Sequence, residues 1–242
     1  MNILDEIVEK TKIRINQRKK DFEFENAITN DKISFICEVK KASPSKGIIS
    51  ENFDYKQIAM DYQAAGADAI SVLTEPEYFK GSDEYLKEIK DIVKIPVLRK
   101  DFTVDEYQIY QAKMLNADAV LLIVSILNKD TLKHFLETSE MLGLCALVET
   151  RDEKEIETAL NAGAKIIGVN NRDLKTFEVD IQISANLRKF VPNDKIFVSE
   201  SGIKTRQDVE FLEANNVNAA LIGEELMKAR DVKKKISLLR GV

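Results

Sequence analysis

Glu38, Lys100, Glu149 and Glu200 each stand where a short apolar run gives out. Three carboxylates and one ammonium in such places can hold a charged substrate and move protons. Carboxylate neighbours keep a lysine charged, while partial desolvation draws its pKa back toward a useful range. Lys40 follows Glu38 by two residues, so in a strand both side chains take the same side. Asn170 ends a further run and adds an amide. The plainer reading is a set of strand-end salt bridges in solvated loops. Unpaired ions inside a protein cost several kcal/mol each, so their recurrence at every second run is hard to explain as packing and points to chemistry.

Two glycines mark a second feature. Gly202 lies in Glu200-Ser201-Gly202, after the seventh run, and Gly223 lies in Ile222-Gly223-Glu224, after the eighth. Glycine lets the backbone approach an oxyanion, and the N–H groups of a following helix complete the cradle. Residues 224–229 read as such a helix. The N–H of Glu224 is expected to meet a phosphate, with its carboxylate turned away.

These groups need a frame. Apolar runs occupy 33–40, 69–74, 96–100, 119–124, 144–149, 166–170, 196–200 and 219–223. They are hydrophobic nearly throughout, as strands covered on both faces should be. Helical patterns fill the intervals, with capping boxes expected at Thr103–Glu106 and Thr150–Glu153 and caps at Asp54, Thr205 and Asp231. A weak echo (AGADAI, LNADAVLLI, NAGAKIIGVN, NNVNAALIG) puts Gly or Asn at helix ends, where a left-handed residue is favoured. The fold class is α/β, a (β/α)8 TIM barrel with an extra N-terminal helix over 1–20. The whole chain, 1–242, is one domain: 1–32 is the helical extension and 33–242 the barrel proper. Strand-to-helix joins at 41–53, 75–82 and 171–179 are long, whereas helix-to-strand joins are short, which places a built surface at the carboxyl ends of the strands. The four charges sit on the first, third, fifth and seventh runs, and alternate strands share an interior layer in such barrels.

With 242 residues, 44% hydrophobic, the chain can bury one large core. A net charge of −5 and the lack of a basic block argue against nucleic acid as a partner. The cationic cluster over 10–20 reads as a solvated helix face. The longest apolar run, 119–127, falls far short of the roughly 20 residues that span a bilayer, so no membrane role is expected. Cys37 and Cys145 sit in apolar runs with no metal or disulfide spacing, as core thiols of a reduced, cytoplasmic protein. A monomer is expected.

The stretches ICEVKKASPSKG (36–47), LTEPEYFKGS (73–82), VLRKDFTVDEYQIYQAK (97–113), ALVETRDE (146–153), IGVNNRDL (167–174), VSESGI (198–203) and ALIGEELM (220–227) resemble, in order, the indole-3-glycerol-phosphate synthase family. The resemblance covers nearly the whole chain. Asn116 stands where that family usually has Gly, which touches a turn and not the site. The resemblance implies ring closure of 1-(2-carboxyphenylamino)-1-deoxyribulose 5-phosphate, loss of CO2 and loss of water, with no cofactor and no metal. It implies Lys100 as general acid, Glu149 as base and Lys40 as partner of the substrate carboxylate. Glu38 and Glu200 would orient these groups, and Asn170 would hold the hydroxylated chain or carboxylate. Ser43, Ser45, Phe79, Arg172 and Leu221 would contact substrate. Ser201, Gly202, Gly223 and Glu224 would seat the phosphate. A phosphosugar isomerase such as phosphoribosylanthranilate isomerase shares that cradle but works with Cys/Asp or Asp/Asp pairs, where this chain has Glu38 and Glu149. A barrel kept only as a binding scaffold would show gaps in the charged set, and there are none.

Overall fold

Each apolar run becomes a strand because both of its faces find cover: side chains of the barrel interior on one side, helices on the other. The computed structural model describes residues 3, 5, 7–10, 23–173 and 176–242. The strands are β1 (Ser34–Val39), β2 (Ala42–Ser43), β3 (Gly47–Ile48), β4 (Ala69–Leu73), β5 (Val97–Lys100), β6 (Ala119–Ile123), β7 (Cys145–Thr150), β8 (Ile166–Asn170), β9 (Ile196–Glu200) and β10 (Ala219–Ile222). β1 and β4–β10 close into a parallel barrel, with β10 pairing back onto β1; β2 and β3 form a small antiparallel hairpin outside it. The expected eight-stranded (β/α) barrel is therefore the fold.

Residues two before each charged position form the layer below it. Ile36, Leu98, Leu147 and Val198 are fully buried and belong to the inner apolar cluster. Phe24 and Ile28, from the helix Glu23–Ala27 and the turn after it, close the amino-terminal end of that cluster and are also fully buried. The alternate residues, among them Cys37, Val39, Val72, Leu122 and Val148, face the helices in the larger outer cluster. Cys37 and Cys145 are both buried and unpaired.

Several boundaries differ from the sequence expectation. Val124 leaves the fourth strand to open a short 3-10 turn, Val124–Ile126. Lys40 lies one residue past β1. The expected caps at Thr103 and Thr150 are each two residues early. Asp105 caps the helix Glu106–Met114 in a capping box with Gln108, and Asp152 caps Glu153–Ala162. Aspartate caps as well as threonine does, and Thr150 is already committed to β7, where its hydroxyl donates to the Gly168 carbonyl at 2.9 Å. Asp54, Thr205 and Asp231 do cap their helices. The short helix after β10 stops at Met227 rather than at 229. In the echo, Gly66, Asn116, Gly163 and Asn216 all have positive φ, at 86°, 61°, 98° and 56°. Residues 3, 5 and 7–10 are helical, but most of the expected helix over 1–20, and all of its cationic cluster except Lys10, lies outside the described residues. Among the described residues no helix is long and apolar enough to cross a membrane.

Candidate active site

The barrel brings Glu38, Lys100, Glu149 and Glu200 together above the inner apolar layer. Lys100 Nζ lies 3.5 Å from Glu200 Oε2 and 3.7 Å from Glu149 Oε2. Lys40 Nζ lies 2.7 Å from Glu38 Oε1, so the pair inferred from two-residue spacing forms even though Lys40 is beyond the strand. Lys100 keeps 15% side-chain exposure, against 5% for Glu149 and 2% for Glu200, which makes Lys100 the most open of the trio.

The electrostatics follow from the packing. Burial disfavours the Lys100 ammonium, but Glu200, Glu149 and Glu38 outweigh it and raise its pKa above the ordinary lysine value. The expected drift toward a lower, more acidic pKa is thus not what the site imposes: three carboxylates overcome desolvation. Burial pushes the Glu200 carboxyl up to about 8; Lys100 opposes the rise, and Glu149 and Glu38 add to it. Glu38 goes the other way. Burial would raise it, yet the Lys40 and Lys100 ammoniums hold it below the usual carboxylate range.

The neighbouring strands leave room for these side chains by carrying glycine. A Cβ at Gly168 would stand 2.4 Å from Glu200 Oε1, and one at Gly223 would stand 2.4 Å from Glu38 Oε1. Gly223 therefore has a packing reason of its own.

A cavity of about 630 Å³ opens above the charges. Ser43, Ser45, Phe79, Asn170, Arg172, Ser201, Gly202, Leu221, Gly223 and Glu224 all line it, together with Glu38, Lys40, Lys100, Glu149 and Glu200. Phe79 is held from three sides. The Glu75 carboxylate accepts from the backbone N–H groups of Glu77, Tyr78 and Phe79 at 2.8–2.9 Å. The Phe79 carbonyl accepts from Ala42 N at 3.2 Å, tying this loop to the β2–β3 hairpin. Its ring stands 6.2 Å from that of Phe102. Asn170 Oδ1 accepts from the backbone N–H of Arg172 and from Ser201 Oγ, both at 3.0 Å.

At the opposite rim, Ser201 and Gly202 have φ of 70° and 90°, two successive left-handed residues. A turn of backbone can offer its N–H groups to an anion. The Glu224 carboxylate is held by cations. It lies 3.6 Å from Arg172 Nη2 and pairs with Lys228, because two cations stand beside it.

Sequence reasoning overlooked Phe102, Ile126 and Phe177, which add apolar wall, and Lys46 and Lys228, which add positive charge at the rim. Phe102 had a signal: it stands two residues past Lys100 in a strand-to-loop junction. Among the described residues no group of three or more His, Cys, Asp or Glu side chains has the geometry to hold a metal ion.

Comparison with known proteins shows the family. The profile of the family described as "Indole-3-glycerol phosphate synthase" matches residues 3–239. The chain belongs to the indole-3-glycerol phosphate synthase family. It is 56% identical to the indole-3-glycerol phosphate synthase of Endomicrobium trichonymphae over 98% of this chain and 99% of that one. The synthase of Ruminiclostridium cellulolyticum is 54% identical over 99% of both chains. Among solved structures, 3-hexulose-6-phosphate synthase superposes with a TM-score of 0.65 at 13% identity, over 86% of this chain and 99% of that one. Thiamine phosphate pyrophosphorylase from Pyrococcus furiosus gives 0.63 at 16% identity, over 86% and 94%. These two likenesses speak to the fold alone.

Proposed function

We propose that this chain catalyses indole-3-glycerol phosphate synthesis in the cavity above Lys100. The substrate is 1-(2-carboxyphenylamino)-1-deoxyribulose 5-phosphate, and the pathway served is tryptophan biosynthesis. The observation that carries the residue assignment is the convergence of Lys100 on Glu149 and Glu200, at 3.7 and 3.5 Å, on the floor of a cavity whose far rim is a left-handed backbone turn. One end suits proton transfer and the other suits a phosphate.

In this reading the phosphate sits against Ser201, Gly202, Gly223 and the N–H of Glu224, and the aromatic ring packs toward Phe79, Leu221 and Phe102. Ser43 and Ser45, from the β2–β3 hairpin, close over the chain. Lys40 pairs with the substrate carboxylate. The ring carbon bearing that carboxylate attacks the ketone, and the carbonyl oxygen gains negative charge. Lys100 gives it a proton. A raised lysine pKa does not prevent this, because an alkoxide is far more basic than an amine. The carboxylate then leaves as CO2, its electron pair restoring the ring. Finally Glu149 takes a proton from the heterocycle while the new hydroxyl leaves, protonated by a lysine, as water. Glu38 and Glu200 hold the two ammoniums in place, and Asn170 holds the hydroxylated chain.

The enzyme is proposed to act as a monomer. Two unpaired thiols accord with a cytoplasmic location. The reading is tested by incubating the protein with the substrate and following indole fluorescence and released CO2. Equimolar growth of both is expected, and neither should appear if the assignment is wrong.

A further inference from the structure

The motif IGVNNRDL holds two adjacent asparagines, and only Asn170 faces the cavity. Asn171 is fully buried on the helix side of the sheet. All four hydrogen-bonding capacities of its amide are filled. Nδ2 donates to Ser199 Oγ at 2.9 Å and to the Ser201 carbonyl at 3.0 Å. Oδ1 accepts from the backbone N–H of Ser184 at 3.0 Å and from Ser184 Oγ at 2.8 Å. Its own N–H donates to the Glu200 carbonyl at 2.9 Å. The residue therefore grips the two successive carbonyls of Glu200 and Ser201, where the chain turns off β9.

We propose that Asn171 is a positioning residue for phosphate: by anchoring the Ser201 carbonyl it aims the Gly202 N–H into the cavity. The reason is peptide geometry. A trans peptide is planar, with its C=O and N–H on opposite sides. Holding the Ser201 C=O against the buried amide thus sends the Gly202 N–H the other way, off the helix side and toward the anion. The turn needs such a hold. Ser201 has a Cβ and a φ of 70°, a strained conformation that persists only where its surroundings impose it. Ser201 Oγ is spent on Asn170 Oδ1, so the hydroxyl cannot anchor the same carbonyl. The inference rests on the phosphate reading of this rim given above.

The test uses Asn171→Asp, which keeps the shape but replaces two donors with an acceptor, and Asn171→Ala, which removes the donors without adding charge. Gly202→Ala serves as the probe of the rim itself, since a Cβ there is strained by a φ of 90° and meets Val179 Cγ1 at 2.6 Å. Thermal melts establish which variants are folded. Inorganic phosphate affinity is read by calorimetry, and KM and kcat by indole fluorescence. Loss of an aimed charge-assisted hydrogen bond should weaken phosphate binding and raise KM by about tenfold or more in both Asn171 variants, with kcat changed by less than about threefold. A merely structural residue would lower kcat and KM-dependent terms together and leave phosphate affinity of the folded fraction intact, which overturns the proposal. If Gly202→Ala weakens phosphate while both Asn171 variants bind it normally, the cradle stands and the role of Asn171 falls. If Gly202→Ala also leaves phosphate binding unchanged, the cradle reading itself is wrong, and the proposal falls with it. Should Asn171→Asp not fold, Asn171→Ala alone decides.

Discussion

Glu200 is the most enclosed of the four charged residues, with 2% of its side chain exposed and no hydrogen-bond partner for Oε1. A carboxyl in that setting prefers its proton, which is why its pKa rises toward 8 from an unfolded value of 4.5. Between those two values the folded state holds a proton that the unfolded chain releases. Stability from this group is therefore full below pH 4.5 and is lost as pH climbs through about 8. Glu38 acts at the acid end: its lowered pKa contributes stability above pH 4.5, lost as pH falls further. Glu200→Gln keeps the shape without the titration. Thermal melts from pH 5 to pH 8.5 should show wild type losing stability relative to this variant as pH rises; parallel curves would mean that Glu200 is ionised throughout. At this scale much was legible. The place of Glu38, Lys100, Glu149 and Glu200 at the ends of the first, third, fifth and seventh runs put them in one interior layer, because alternate strands share a layer in such barrels. Asn171 was not legible, because nothing in an Asn-Asn pair says which member faces the cavity until the strand's phase is known.

At the scale of strands and loops, the charged layer depends on what its neighbours lack. Gly168 on β8 is paired with Glu149 on β7 and Val198 on β9, and it leaves the space that Glu200 fills. Gly168→Ala should push the Glu200 carboxylate away from Lys100. Overpacking of this kind costs about 1–3 kcal/mol, and the displaced carboxylate should lower kcat/KM by about tenfold or more, since each tenfold is only ~1.4 kcal/mol of lost transition-state stabilisation. Steady-state kinetics beside denaturant melts check this; unchanged kcat/KM in a folded variant would show that Glu200 need not sit where it does. The long joins at 41–53, 75–82 and 171–179, which the sequence reading singled out, each send residues to the cavity wall, among them Ser43, Phe79 and Arg172. Their inner workings were hidden. The clasp of Glu75 on three backbone N–H groups depends on a local turn that no hydrophobic period reports, and the two-residue offset of the caps at Asp105 and Asp152 arises because both Thr and Asp can cap.

The molecule as a whole separates stability from chemistry. The amino-terminal end of the barrel is sealed by Phe24 and Ile28, and the carboxyl end holds the cavity. Phe24→Ala should cost roughly 3–5 kcal/mol by urea denaturation, with kcat close to wild type at a temperature where the variant stays folded. A large drop in kcat of the folded variant would mean that the two ends are coupled. The barrel was legible as a whole from eight apolar runs and the asymmetry of their joins. Its plug was not: a helix as short as Glu23–Ala27 offers too few turns for a periodic signal.

The most direct measurement is the turnover of Lys100→Met, followed by indole fluorescence, with folding checked by circular dichroism and phosphate binding by calorimetry. Loss of a positioned general acid should lower kcat by about 10²–10⁴-fold or more while the barrel and its phosphate affinity persist. Turnover within tenfold of wild type would contradict the assignment of Lys100, and with it the proton-transfer role of the charged layer at the barrel mouth.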